Sequence, residues 1–97
     1  MSVLAGQTVY AVGVYQPLER IIAMSNGGFN QTAATALHGV TPVVWVNREG
    51  TTLRLDIQGL EPVSLQAGEN YSHIFQSAGK YAFSVYGFAA EGQVTVV

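Results

Sequence analysis

The side chains in this sequence that could do acid–base or metal chemistry are few: two histidines, His38 and His73, six acidic residues, and no cysteine. Without a thiol there is no disulfide, thiolate ligand or cysteine nucleophile. His38 falls in a His-Gly turn, and His73 falls on the same face of a strand as Tyr71 and Phe75. No third donor is implied beside either, and a metal site needs converging groups, so both read as surface or internally satisfied histidines. Ser84 lacks the G-x-S-x-G elbow and a base, and reads as a small strand residue. The carboxylates Glu49, Asp56, Glu61, Glu69 and Glu91 are scattered through turns and polar strand faces. Paired acid–base work needs two of them at a set separation in a cleft, and nothing here places two, so they read as solvated charge and an enzyme is not expected. Asn30-Gln31-Thr32 and Asn70-Tyr71-Ser72 match the glycosylation sequon, a pattern common by chance.

The elements that would position these groups are strands. Apolar runs at Thr8 to Tyr15, Ile21 to Met24, Thr32 to Leu37, Pro42 to Asn47, Thr52 to Ile57, Asn70 to Gln76, Tyr81 to Tyr86 and Gln93 to Val97 are separated by turn pairs such as Asn26-Gly27, His38-Gly39 and Ala67-Gly68. Helical periodicity is absent. The pattern predicts one all-β domain over residues 1–97, a Greek-key β-sandwich of seven to eight strands. A short irregular or helical turn is expected around Gln16 to Arg20 or Gly59 to Pro62. Thr52 to Ile57 alternates cleanly, with Leu53, Leu55 and Ile57 on one face and Thr52, Arg54 and Asp56 on the other. Val9 to Tyr15 and Val43 to Val46 are instead apolar on both faces, which suits a strand whose outer side meets something.

Composition limits the partners. Charged residues make up 10% of the chain, against about a quarter in an ordinary soluble domain, while 48% are hydrophobic. Four basic against six acidic residues give no field for a phosphate backbone, so nucleic acid is not expected. No apolar stretch is long enough to span a bilayer, and Met1 to Tyr15 has no basic region of the signal-peptide kind. Most aromatics read as core. Tyr10, Tyr15, Tyr86 and Phe88 are the exceptions, expected at a contact surface with Val12 and Val14.

Two stretches carry a family resemblance. The first runs from Gly28-Phe29-Asn30 to Thr41-Pro42-Val43-Val44-Trp45-Val46-Asn47-Arg48-Glu49-Gly50, a strand pair ending in a W-x-N-x-E-G turn. The second has the Gly68-Glu69 turn, Tyr71 to Phe75, Gly79-Lys80-Tyr81, and the closing Gly92-Gln93-Val94-Thr95-Val96. In order and spacing they resemble the cupredoxins, the blue-copper proteins, strongest over residues 21–97, with residues 1–20 a first strand or an N-terminal arm. The resemblance implies a copper site of two His, one Cys and often a Met. It places Leu53 at the first His, Ser84 at the Cys, Gly87 at the second His and Ala90 at the Met. None of these is a ligand, so no cofactor is expected and Leu53 should be ordinary core.

The function expected is a metal-free structural or interaction protein, most concretely a virus or phage capsid decoration subunit, by analogy at fold level. Its partners would be proteins, itself included as a homo-oligomer, and possibly a capsid or other scaffold. Contacts would come from Tyr10, Val12, Val14, Tyr86 and Phe88. Its place would be a virion or cytoplasmic assembly, or extracellular if a signal peptide has been removed. The readings from other classes are a blue-copper electron carrier stripped of its ligands and an extracellular carbohydrate- or receptor-binding module.

Overall fold

A computed structural model describes residues 19–97. The expected strand Thr8 to Tyr15, with Tyr10, Val12 and Val14, and most of the expected turn at Gln16 to Arg20 lie outside the described residues. Nine strands are described: β1 Arg20–Ser25, β2 Gly28–Phe29, β3 Ala33–Ala36, β4 Val43–Asn47, β5 Leu53–Ile57, β6 Val63–Leu65, β7 Asn70–His73, β8 Gly79–Val85 and β9 Glu91–Val96. They form a five-stranded sheet, β3-β9-β8-β5-β6, and a four-stranded sheet, β2-β1-β4-β7. Both sheets are mixed: β1 runs parallel to β4 and β3 parallel to β9, and the remaining pairs are antiparallel.

Seven of these strands fall on apolar runs of the sequence, while β2 and β6 do not. Two and three residues long, they are too short to show a period, and each exists by pairing with a longer neighbour: Phe29 with Met24, and Leu65 with Leu53. No helix forms over Gly59 to Pro62: the chain makes a turn over 57–60, closed by the Leu60 amide on the Ile57 carbonyl at 3.0 Å.

Alternation decides what is buried. Ile22 and Met24 of β1, Val43 and Trp45 of β4, Leu55 of β5, Phe83 of β8 and Val94 of β9 turn inward and lose nearly all contact with solvent. Each such side chain is worth roughly 1.5–3 kcal/mol of burial. Trp45 sits at the centre, with Phe83 5.7 Å and Phe75 6.5 Å away in edge-on contacts. The Phe83 ring fills the space beside Gly92, its cross-strand partner, where any Cβ would collide with it.

Two strand edges are closed by side chains. Along β1, the Asn30 carboxamide accepts from the Ala23 amide (2.8 Å) and donates to the Ile21 carbonyl (3.2 Å), and the Gln31 amide donates to the same carbonyl at 2.8 Å. On β3, the Arg20 guanidinium donates to the Thr35 carbonyl at 2.8 Å.

Candidate functional site

The region where the resemblance places a metal site is one end of the sandwich. Here β1 and β4 finish, β5 starts, β8 finishes and β9 starts, so the turn at 26–27, the loop at 48–52, the turn at 66–69 and the loop at 86–90 come together. Asn47 organises it. Its side chain is fully buried at the end of β4, donates to the Thr51 and Leu65 carbonyls at 2.9 Å each, and accepts from the Glu49 amide at 2.8 Å. One carboxamide thus ties the 48–52 loop to β6 in the opposite sheet. The Glu49 carboxylate then accepts from the Gly27 amide at 2.8 Å, joining the neighbouring turn. Sequence shows why Asn is needed: the loop leaves two carbonyls and an amide without ladder partners, and a group with two donors and an acceptor serves all three.

On the other side of this end, the Phe88 amide donates to the Val85 carbonyl at 3.0 Å, closing a turn with Gly87 at φ +92°. That is the position of a type II turn that favours glycine. Tyr86 takes the tip and is 83% exposed. Phe88 turns the other way: half-buried, it packs on the core and lies 5.5 Å from Phe29, which meets Phe83 at 5.1 Å. Phe88, expected at a contact surface with Tyr86, is thus partly engaged by the protein's own core.

Of the four positions assigned to ligands, Leu53 is 8% exposed and belongs to the core. Ser84 does not share its side. The register pairs Leu55 with Val85 and Asp56 with Ser84, so Val85 points inward with Leu53 while Ser84 points out. One ion cannot be held from both faces of a sheet, and the position that faces Leu53's side is Val85, 3% exposed, not Ser84. The signal was present in the sequence: Tyr81, Phe83 and Val85 alternate with Lys80, Ala82 and Ser84. A slip of one residue exchanges the two faces. Gly87 and Ala90 lie in the loop beyond. Leu53, Val85, Gly87 and Ala90 offer hydrocarbon and backbone only, so the residues do not fit copper, and no step through a metal follows.

The remaining candidates are dispersed. The His38 ring Nδ1 lies 2.9 Å from the Val97 carbonyl at the opposite end of the sandwich. His73 stacks near Tyr71 (6.4 Å) and meets Phe75 edge-on at 4.7 Å. Among the described residues no three His, Cys, Asp or Glu side chains converge as a metal site would require. Asp56, Ser84 and Glu91 form one cross-strand row in a shallow outer concavity with Gln58, Leu60 and Ala82, but its lining holds no histidine to activate the serine. Asp56 instead meets Arg54 at 3.5 Å, an exposed pair worth at most about 1 kcal/mol. Glu69 caps its own turn, accepting from the Gln66 amide at 2.7 Å.

The fold has clear counterparts among solved structures. A reduced Cu(I) form, at pH 4, of a Pro-to-Gly mutant of amicyanin superposes with a TM-score of 0.71 at 20% identity, over 81% of this chain and 82% of that one. A Cu(I) form of a Met-to-Ala mutant of amicyanin gives 0.69 at 20% identity over the same shares. A reduced Pro-to-Phe mutant gives 0.70 at 20% identity, again over 81% and 82%. Amicyanin is a cupredoxin. This chain has a cupredoxin-like fold. The all-β sandwich expected from the sequence is thus the one observed. No protein-family model and no curated protein sequence matches the chain. At this level of identity the likeness concerns the cupredoxin-like framework and carries no activity with it.

Proposed function

We propose that the chain is a non-enzymatic, metal-free interaction protein that uses a cupredoxin-like framework as a scaffold and meets protein partners through the end bearing Tyr86. The observation that carries this reading is the filling of that end: Leu53 and Val85 are buried and Phe88 is packed on Phe29, while Tyr86 stands 83% exposed at the tip of a hydrogen-bonded turn. An amphipathic ring held out on a defined turn loses little entropy on docking, which makes Tyr a frequent interface anchor. The low charge of the chain, 10%, agrees with a surface meant to be covered. The concrete form proposed is a subunit of a larger assembly, self-association included, such as a decoration protein on a virus or phage shell. That last step is analogy from small β-domains of this kind.

Copper titration and sedimentation test the two halves separately. Calorimetry with Cu(II) should show no stoichiometric submicromolar binding, and such binding would end the metal-free reading. Sedimentation, and capture on purified particles if the neighbouring genes are viral, should show association that Tyr86→Asp weakens at least about tenfold. A strictly monomeric species that binds no particle, with or without that change, would end the interaction reading.

A further inference from the structure

Most edges of the two sheets are blunted. Along β1 the Asn30 and Gln31 side chains hold the open backbone, β3 carries the Arg20 guanidinium on its Thr35 carbonyl, and β6 is three residues long behind Pro62. Short strands, charge and proline are the ordinary defences of an edge. β7, which ends the four-stranded sheet, has none of the last two: from Asn70 to Gly79 the sequence holds no Asp, Glu, Lys, Arg or Pro.

Register shows which backbone groups of β7 lie open. The Asn47 amide donates to the Glu69 carbonyl at 2.9 Å, and the strands run antiparallel with Trp45 opposite Tyr71 and Val43 opposite His73. Bonded and non-bonded pairs alternate along such a ladder. Glu69, Tyr71 and His73 therefore turn their backbone groups to β4, and Asn70 and Ser72 turn theirs away. The alternation continues past the strand, where the Phe75 carbonyl accepts from the Gly39 amide at 2.7 Å, so Ile74 faces the edge with Asn70 and Ser72. Among the described residues nothing pairs with the Asn70 or Ser72 backbone on that side, and the Ile74 carbonyl meets only the Gln76 side chain at 3.3 Å.

The three outward residues form a self-complementary row. Turned end for end about Ser72, a second copy sets Asn70 against the partner's Ile74 and Ser72 against the partner's Ser72. About six backbone bonds then close with no charge facing another. On the inward side Tyr71 comes opposite the partner's His73. Both rings are half-buried and lie parallel, 6.4 Å apart, in the single chain, and aromatic pairs across strands favour pairing. Such a dimer also ends itself. The doubled sheet is bounded on both sides by the two-residue β2 and the β1 flank that Asn30 and Gln31 occupy, which leaves a third copy no long open edge.

We propose that β7 is a homodimerisation edge, on which two copies pair antiparallel about Ser72 into one continuous sheet. An edge of five residues is about 17 Å long and covers less than the roughly 800 Å² per partner of a stable complex, so the dimer forms reversibly. This surface is separate from the Tyr86 end, on which the functional reading above rests.

The test is residue-resolved amide exchange by NMR on the full chain across a range of protein concentrations. In dilute protein the Asn70, Ser72 and Ile74 amides should exchange freely while Tyr71 and His73 stay protected. In concentrated protein the three outward amides should slow at least about tenfold. Ser72→Lys, which sets two like charges opposite each other, should abolish that slowing. Ser72→Pro should do the same, since it removes a donor the fold does not use, and protected Tyr71 and His73 amides report that either variant is folded. Tyr86→Asp should alter none of these amides, and sedimentation of that protein should show a dimer and no larger species, so this inference and the Tyr86 reading can fail independently. Outward amides that exchange freely at every concentration overturn the inference. So does equal protection at all concentrations, which would mean that the chain covers its own edge. Slowing that survives both Ser72 changes, or is lost with Tyr86→Asp, overturns it too by placing the contact elsewhere.

Discussion

The two ends of the sandwich are closed by different means. At one end a buried carboxamide, Asn47, satisfies three backbone groups and fixes the loop in front of Leu53, while Gly87 and Phe88 fold the facing loop down onto Phe29. At the other end no carboxamide is buried: Thr41 Oγ accepts from the Leu37 amide at 3.0 Å, and both the amide and the ring of exposed His38 reach across the chain to the Val97 carbonyl at 2.9 Å. The comparison teaches that at this cupredoxin-like end the polar frame is built from the chain's own groups. Its hydrogen bonds run from side chain to backbone, and hydrocarbon can occupy the interior they enclose.

Breaking the buried fastening should have the largest effect. Asn47→Ala leaves two carbonyls and one amide without their partner at a fully buried position, and should cost about 3 kcal/mol, read as a fall in the urea midpoint at constant slope. A loss under about 1 kcal/mol would mean that water replaces the carboxamide and that the two ends are alike.

Leu53→His tests the filling. An imidazole at an 8% exposed site, with hydrocarbon beside it and no thiolate or metal partner, should destabilise by about 2 kcal/mol. An unchanged midpoint would show that the ligand end is not packed as a core.

Gly87→Ala isolates conformation from contact. Nothing lies within 4 Å of a Cβ built there, so the expected loss of about 1–2 kcal/mol would come from φ +92° alone. Retained stability would show that the turn readily rearranges, and Tyr86 would then lose its rigid mount.

The opposite end should respond least. His38→Ala removes one exposed hydrogen bond and should cost about 0.5 kcal/mol. A loss matching that of Asn47→Ala would erase the contrast.

Legibility followed the same division. Where strands alternate over five or more residues, as in β5, the sequence showed both the element and its buried face. β8 shows the limit. Its apolar phase through Tyr81, Phe83 and Val85 was readable, yet counting from the family pattern placed the ligand-equivalent position one residue away at Ser84, on the wrong side of the sheet. β2 and β6 were not readable, because two or three residues acquire strand geometry only from distant partners. The burial of Phe88 could not be seen either, since it depends on Phe29, 59 residues away in the chain. The ladder-like role of Asn30 is hidden for a similar reason, because a carboxamide looks the same in sequence whether it faces water or a strand.

That role bears on how the protein survives storage and crowding. A strand with a bare flank is a template on which another molecule can grow a fibre. Among the described residues the flank of β1 is occupied by the Asn30 and Gln31 side chains, which imitate a neighbouring strand. The chain's shelf life is therefore tied to two carboxamides. Conversion of Asn30 to aspartate, the slow hydrolytic ageing of carboxamides, would remove one of the two donors to Ile21 and leave the Gln31 side chain to hold that carbonyl alone. Aged or Asn30→Asp protein should seed thioflavin-positive fibres sooner than fresh material, at little cost in unfolding free energy.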